Sequence, residues 1–367
     1  MKVLYLTNVP APYRVRFFNE LSKHCELTVL YECKSSLERN ENWVGYANDG
    51  YEIVFLTGLR TRTDAGFCPG IIKYLRRKKY DIIVVGGYST PTAMLFIIAL
   101  RLCKIPYVLN ADGGFALENE PLVKKRIKSF FISGASFWLS SGQMTSKYLK
   151  SYGADPKKTY IYPFSSVMHA DVLIKPVPKE QKLLLRKQKG INCETLVLSV
   201  GQFIPRKGFL EFLKVWTSEP KDGWGLAIIG GGAEEALYKN IAKENENLWI
   251  LPFLKSEDLA DYYKAADAFV LPTNEDIWGL VINEAMAYGL PIFSTDRCIA
   301  AETMQGEGVS LFPVGDNAAI IDSLMALNRA SDGFSLSESV LEKSRDYTIE
   351  KMAERHIEVF KEIWRKR

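Results

Sequence analysis

The amino-acid sequence predicts an α/β protein made of two doubly wound parallel-sheet units, and three observations lead there. Short apolar runs without polar alternation recur along the chain, amphipathic stretches separate them, and the pattern lapses once before restarting. Unalternated runs suit strands buried on both faces, and the intervening helices supply the crossovers that parallel pairing needs. A length of 367 residues also exceeds what one core usually organises.

Taken in order, "KVLYLTN" reads as a buried strand and Tyr13–His24 as a helix with Val15, Phe18 and Leu21 on one side. "ELTVLYE" and "YEIVFLT" follow as strands around a long polar region. Next come a helix around Ile71–Lys79, strand "DIIVVGG", helix Thr90–Cys103, strand "PYVLNAD", a helix over Lys124–Phe137 and strand "FWLSSG". The lapse falls at Asp171–Asn192, where charges and two prolines replace the pattern. It then restarts: strand "TLVLSVG", helix Gly208–Trp216, strand "WGLAIIGGG", helix Ala233–Glu244, strand "LWILPFL" and helix Ser256–Ala265. Strand "AFVLPT", helix Leu280–Tyr288 and strand "PIFSTD" complete the second unit. The expected division is therefore a first unit over 1–170, a linker over 171–192 and a second unit over 193–347. A helix over 348–367 is expected to pack back on the first unit. Two such units place a ligand site outside the carboxyl ends of the strands.

Composition narrows the function classes. With 47% hydrophobic and 25% charged residues the chain is an ordinary globular one, and a net charge of +4 argues against a nucleic-acid partner. Six scattered cysteines and three histidines show no metal-ligand spacing, and free buried thiols are expected. The N-terminus resembles a strand entering a turn, not a signal peptide. The longest apolar stretch, Ala93–Leu100, is far short of a membrane span. These points give a cytoplasmic expectation.

The most informative segment is "LPTNEDIWGLVINEAMAYGLPIFSTD", Leu271–Asp296. A strand breaks into a polar loop and a helix starts near Gly279. Helix N-termini offer unpaired N–H groups and partial positive charge, so Gly279, Leu280 and Val281 suit a diphosphate. Asp276, taken as a loop-tip residue, suits sugar hydroxyls, and Glu284 inside the helix suits a ribose diol. Read as ordinary structure, Glu284 would be a solvated helix residue. In "LVLSVGQFIPRKGFLEFL", Gly201 ends a strand, and Arg206 and Lys207 in the following loop can neutralise a leaving diphosphate. The blander alternative makes both plain surface cations. "IIGGGAEE" lacks full G-x-G-x-x-G spacing, which argues against a dinucleotide fold of the dehydrogenase kind.

The Leu271–Asp296 segment resembles the signature of family 4 glycosyltransferases, retaining enzymes of the two-Rossmann, GT-B type. There a Glu, seven residues and a second Glu span the loop and helix. The match includes Trp278-Gly279-Leu280, "EAMAYGLP" and "YYKAADAFVLPT". Asp276 stands at the first Glu position with Glu275 before it, so either carboxylate is the candidate for the donor sugar. The resemblance implies that Gln202 occupies a slot often held by Arg, with Arg206 replacing that charge. It places Gly231 in the nucleotide cleft and Phe253 and Leu254 beside the base, the latter two reading equally well as core. In the first half it makes Asn8 and Arg14 of "TNVPAPYRV" cleft residues. Asn110, Asp112, Gly113 and Gly114 of "YVLNADGG" lie where relatives hold a His, so Asp112 is its substitute. Gly86, Gly87 and Tyr88 belong to the acceptor pocket.

The resemblance thus implies a retaining transferase moving a sugar from a nucleotide-diphosphate donor to a saccharide or lipid-linked saccharide hydroxyl, of the kind that builds bacterial surface polysaccharides. A UDP-sugar is the favoured donor and GDP-mannose the second. Donor binding is expected to close the two units. No cofactor and no metal are expected, since no D-x-D motif occurs and cationic side chains can take the metal's place. The basic helix "LVKKRIKSFFI", with Lys124, Lys125, Arg126 and Lys128, suits either solvent or an anionic membrane surface, the latter giving a peripheral location. The competing readings are an epimerase or hydrolase of the same fold, and a non-catalytic subunit that binds a sugar nucleotide.

Overall fold

The computed structural model describes residues 1–35, 50–75, 79–116, 120–219, 221–327 and 333–366. They form two compact units, Met1–Ser166 with Thr348–Arg367, and Val167–Tyr347. Each is a parallel α/β sheet covered by helices.

In the first unit the strands are β1 (Lys2–Thr7), β2 (Glu26–Tyr31), β3 (Glu52–Phe55), the hairpin β4 (Leu59–Arg62) and β5 (Ala65–Phe67), β6 (Ile82–Gly86), β7 (Val108–Ala111), β8 (Phe137–Ser140) and β9 (Thr159–Ile161). The helices are α1 (Pro12–Ser22), α2 (Pro91–Leu102), α3 (Leu122–Ser133) and α4 (Gln143–Ser151). The sheet order is β3-β2-β1-β6-β7-β8-β9, with every pair parallel. The order of strands reverses between β1 and β6, the kind of switch point where open α/β sheets bind ligands.

Two features of this unit, and the cysteines of the chain as a whole, differ from the sequence expectation. The hairpin β4–β5 was not foreseen, because its exposed strand Leu59–Arg62 carries no buried pattern. The helix expected around Ile71–Lys79 is a short 3-10 turn over Pro69–Tyr74, and residues 76–78 lie outside the described residues. The "buried thiols" are also fewer: all six cysteines are free, Cys68 and Cys298 are buried, and Cys103 is exposed.

The second unit comprises α5 (Lys179–Gln188), β10 (Thr195–Gln202), α6 (Phe209–Trp216), β11 (Trp224–Gly231), α7 (Glu235–Lys243), β12 (Leu248–Leu251), α8 (Ser256–Ala265) and β13 (Ala268–Leu271). It continues with α9 (Leu280–Ala287), β14 (Ile292–Thr295), α10 (Ile299–Thr303), β15 (Val309–Phe312), α11 (Asn317–Leu327) and α12 (Gly333–Arg345). Its order β12-β11-β10-β13-β14-β15 puts the switch point between β10 and β13. Gly201 and Gly230 pair across β10 and β11, and a Cβ on Gly230 would lie 1.9 Å from the Gly201 carbonyl oxygen, so no larger residue fits there.

The segment read as a linker is largely built into this second unit. α5 carries Arg186, which is fully buried and donates from Nε to the Ala265 carbonyl (2.8 Å) and from Nη1 to the Glu194 carbonyl (2.6 Å). Its Nη2 pairs with Asp267, which also accepts from the Leu196 amide (2.9 Å) and Lys182 (3.2 Å). A buried guanidinium needs such a full set of acceptors, and only the folded unit brings them together.

The chain returns to the first unit in α13 (Ile349–Arg365), capped by Thr348 accepting from the Lys351 amide. Met352, His356, Val359 and Phe360 line its buried stripe, which packs on α1. The His356 ring sits 4.8 Å from Phe17 and 4.5 Å from Tyr162, and its Nδ1 donates to the Met352 carbonyl at 2.7 Å. Nε2 is buried without a hydrogen-bond partner. A proton there would be an unpaired buried charge near Arg14 and Arg355, and burial pushes the imidazole down to about 3.

Two tests follow from this packing. Arg186→Leu removes the guanidinium from Asp267 and from the Ala265 and Glu194 carbonyls, and is expected to cost about 3–5 kcal/mol in urea unfolding, against less than about 1 kcal/mol for the exposed pair Lys214–Glu211. His356 is neutral when folded but titrates near 6.5 when unfolded, so its contribution is present above pH 6.5 and is lost as pH falls toward 3. Unfolding titrations should show this acid loss, on the order of 5 kcal/mol across the window, and His356→Gln should flatten it. An unchanged slope in the variant would contradict the assignment.

Candidate functional site

Two loops at the carboxyl ends of β10 and β13 are stitched together in the second unit. After β10 the chain makes a short turn over Pro205–Lys207 and reaches Gly208, whose φ of 70° is left-handed. A Cβ on Gly208 would lie 2.0 Å from the Pro272 carbonyl oxygen, so glycine is what allows the turn to press on the end of β13. The Arg206 carbonyl then accepts from the Asn274 amide (2.9 Å) and the Thr273 hydroxyl (3.1 Å), and the Pro205 carbonyl from the Asn274 side chain (3.0 Å).

This stitching puts Lys207 against Asp276 in a buried ion pair. The sequence reading treated Lys207 as a loop cation and Asp276 as a loop-tip carboxylate. Both are instead turned inward, and the exposed residues of that loop are Asn274 and Ile277. Arg206 stays on the surface, 43% exposed, donating to the Glu275 carbonyl at 2.7 Å, and Arg297 meets the Glu275 carboxylate at 2.9 Å. The cations therefore divide into one buried and neutralised, Lys207, and two outward, Arg206 and Arg297.

The α9 start is equally constrained. Gly279 is its N-cap with φ 95°, and a Cβ there would meet the Cys298 sulfur at 2.8 Å. Leu280 and Val281 open the helix, where amides have no intrahelical acceptor. Trp278, part of the segment that matches the family signature, is buried and donates from Nε1 to Asn283 at 2.7 Å, so its ring packs the loop from within. Glu284 is half-buried and accepts from the Tyr263 hydroxyl at 3.1 Å. Burial, then the Glu284 charge, raises the Tyr263 phenol well above its usual range, so it remains a donor. Tyr263 in turn stacks on Tyr288 at 5.2 Å, fixing the height of Glu284 on the helix.

Gln202 is exposed at the end of β10, and Gly201 abuts the Phe209 ring. Gly231, at the end of β11, has open space where a Cβ would point, apart from Glu235 at 3.6 Å. Phe253 is 60% exposed and Leu254 half-buried, which removes the alternative that both are core.

In the first unit Arg14 of α1 forms an ion pair with Asp112, which follows β7. Arg14 is buried, with the Tyr13 and Phe164 rings 5.5 and 5.7 Å from its guanidinium carbon. The Asp112 Oδ1 accepts from Asn110 (2.9 Å) and from the Tyr162 hydroxyl (2.7 Å). Asp112 is thus held by three donors as an acceptor-only carboxylate, about a third exposed. Asn8 donates to Asp64 at 2.9 Å. Gly86 ends β6 and Gly87 follows it, and Tyr88 hydrogen bonds the Tyr148 hydroxyl. Gly113 follows Asp112, and Gly114 lies against the Tyr148 ring. Tyr162, Tyr263, Gly208, Thr273, Asn274 and Arg297 were missed by sequence reasoning. Only Gly208 left a local signal, as the glycine closing "PRKG".

The model of the family "Glycosyl transferases group 1" matches residues 181–366. An uncharacterized glycosyltransferase of Haemophilus influenzae is 32% identical over 180 residues, 47% of this chain and 50% of that protein. The chain therefore spans about half the length of this curated relative. A UDP-Gal:alpha-D-GlcNAc-diphosphoundecaprenol alpha-1,3-galactosyltransferase of Escherichia coli is 26% identical over 275 residues, 70% of this chain and 68% of that one. Among solved structures, Anabaena HepE in complex with UDP and glucose superposes with a TM-score of 0.72 at 15% identity, covering 100% of this chain and 99% of that chain. At that identity the likeness concerns the fold, which is the two-unit GT-B one.

The ion pair of the second unit gives a test independent of any ligand. Lys207→Met strands a buried carboxylate and is expected to cost about 3–5 kcal/mol in urea unfolding, and adding Asp276→Asn should recover part of it. Additive losses in the double variant would show that the two side chains do not depend on each other.

Proposed function

The chain belongs to the glycosyl transferases group 1 family, and from that premise we propose that it is a retaining, family 4-type transferase using a nucleotide-diphosphate sugar. The observation that carries this reading is the pair of stitched loops, which sets Arg206, Arg297 and the α9 start side by side at the switch point of one sheet. A diphosphate is the ligand whose charge and acceptor oxygens such a cluster matches.

In the proposed reaction the bond between the sugar's anomeric carbon and the diphosphate oxygen breaks, and the acceptor hydroxyl oxygen bonds to that carbon on the same face. The departing diphosphate takes the acceptor proton. Arg206, Arg297 and the amides of Leu280 and Val281 stabilise the charge that develops on the diphosphate, with no metal required. Glu284 accepts from the ribose hydroxyls, and of the two loop carboxylates Glu275, paired with Arg297 at the surface and 41% exposed, is the one open to the donor sugar, whereas Asp276 is buried against Lys207. Phe253 and Leu254 flank the base, and Gly231 leaves room for the nucleotide. Asp112, held by Arg14, Asn110 and Tyr162, accepts a hydrogen bond from a sugar hydroxyl.

We take a UDP-sugar as the favoured donor, with GDP-mannose second, and a saccharide or lipid-linked saccharide in surface polysaccharide synthesis as the acceptor. The E. coli relative is named for such a donor and acceptor. The proposed location is cytoplasmic and peripheral to the inner face of the cell membrane. No described helix is long and apolar enough to cross a membrane.

A thermal-shift series with UDP, GDP and dTDP tests the donor site. A ligand present at about 100 times its Kd stabilises the native state by roughly 2.7 kcal/mol, so UDP should raise Tm by several degrees. The shift should vanish in Glu284→Ala. If no nucleotide shifts the parent chain, or if the variant responds as the parent does, the donor site is misplaced.

A further inference from the structure

We propose that the outer faces of α2 and α3 form one surface that docks the first unit onto an anionic lipid bilayer. The proposal deepens the peripheral, lipid-linked part of the reading above and rests on it, but its test needs no sugar transfer.

The burial of α3 is the reverse of what an amphipathic helix on a core shows. Among its apolar residues only Phe131 and Ile132 are buried. Val123, Ile127 and Phe130 stand at i, i+4 and i+7, which places them on one stripe, and that stripe faces outward with Leu122 beside it. Leu122 and Val123 are 73% and 71% exposed, so the apolar residues at the start of the helix meet almost nothing of this unit.

The outward face extends to α2. Arg101 lies with its guanidinium carbon 4.2 Å from the centroid of the Phe130 ring and also donates to the Phe130 carbonyl, tying the end of α2 to the end of α3. On that same end of α2, Ile98 and Leu102 stand at i and i+4, both exposed, Leu102 at 79%. Six large apolar side chains are therefore displayed on two adjoining helices, an arrangement that is costly in water unless something covers it.

Charge identifies the cover. Lys124, Lys125 and Arg126 are exposed among these residues, and Leu122–Ser133 contains no acidic side chain. Among the described residues just before the helix the acid Glu120 is withdrawn: its side chain is buried, meeting Lys128 at 2.6 Å and the Tyr152 hydroxyl at 2.5 Å. The core of a protein–protein interface is depleted in lysine, whereas apolar residues interleaved with cations suit a headgroup layer, where the apolar groups insert and the cations meet phosphates.

The test is co-sedimentation of the full chain with vesicles of phosphatidylethanolamine and phosphatidylglycerol, against vesicles of phosphatidylcholine alone. Two variants confined to exposed positions accompany it, Leu122→Ser/Val123→Ser/Ile127→Ser and Lys124→Ser/Lys125→Ser/Arg126→Ser. The parent should bind the anionic vesicles and be released by salt. The charge variant should bind on the order of 100-fold more weakly, each basic residue being worth roughly fivefold at an anionic surface. The apolar variant should also be lost from the pellet, while both keep the parent's UDP-induced thermal shift. Equal binding to both vesicle types, or undiminished binding by the variants, would overturn the proposal. So would self-association of the parent that the apolar variant abolishes without any vesicle binding, which would assign the surface to a second copy of this chain.

Discussion

The buried pair of Lys207 and Asp276 is the constraint on which the candidate donor site depends. Taking either charge out of water alone costs several kcal/mol, so each is tolerated only because the other is present. Their meeting requires two loops 69 residues apart in sequence to lie against one another. The left-handed Gly208, the Asn274 and Thr273 hydrogen bonds and the tight approach to Pro272 all serve that contact. Once it is made, the backbone at Asp276 is fixed, accepting from the Ile299 amide and donating to the Arg297 carbonyl. The α9 start and Arg297 are thereby set in place.

The first unit solves a similar problem with different residues. A cation from the element after its first strand, Arg14, reaches a carboxylate beyond a later strand, Asp112. In the second unit Lys207 after β10 reaches Asp276 after β13 in the same manner. In both, a charge pair ties the segment after the sheet's first strand to the loop after a later strand: α1 to the loop after β7 in the first unit, and the loops after β10 and β13, which flank the switch point, in the second. The difference lies in exposure. Asp276 is closed off, whereas Asp112 remains about a third open with both oxygens already accepting.

Much of this fold was legible because its signals are local. Unalternated apolar runs marked most strands of both sheets, and "WGLVINEAMAYGLP" marked the loop-to-helix step at Gly279. What stayed hidden was long-range or weakly patterned. α5 reads as a charged, proline-flanked linker because its decisive residue, Arg186, is polar; its burial depends on acceptors at Glu194, Ala265 and Asp267. Short edge elements such as β9 and β15 carry too few residues for a period to emerge. The site residues split the same way. Gly279 and Glu284 announced themselves by position in a helix start, whereas the inward turn of Lys207, Asp276 and Trp278 follows from contacts that no window of sequence contains.

For the diphosphate site proposed above, that inward turn changes which charges matter. Sequence alone ranks Arg206 and Lys207 equally, as adjacent cations after a strand. Lys207 has its charge balanced by Asp276 at contact distance, so its field largely cancels a few ångströms away. Arg206 faces only a backbone carbonyl at 2.7 Å and a carboxylate oxygen 3.9 Å off, and its exposed guanidinium keeps donors for a ligand. At about 4 Å a unit charge pair near a protein surface is worth roughly 4 kcal/mol, against about 1 in bulk water, so the location of the unbalanced charge outweighs the count of cations. The buried cation and the exposed one are consecutive residues, separated by one peptide unit and by which way each side chain turns. Exchanging Lys207 is therefore expected to perturb the loop itself, whereas exchanging Arg206 removes surface charge from the proposed diphosphate site and one hydrogen bond, to the Glu275 carbonyl, from the loop.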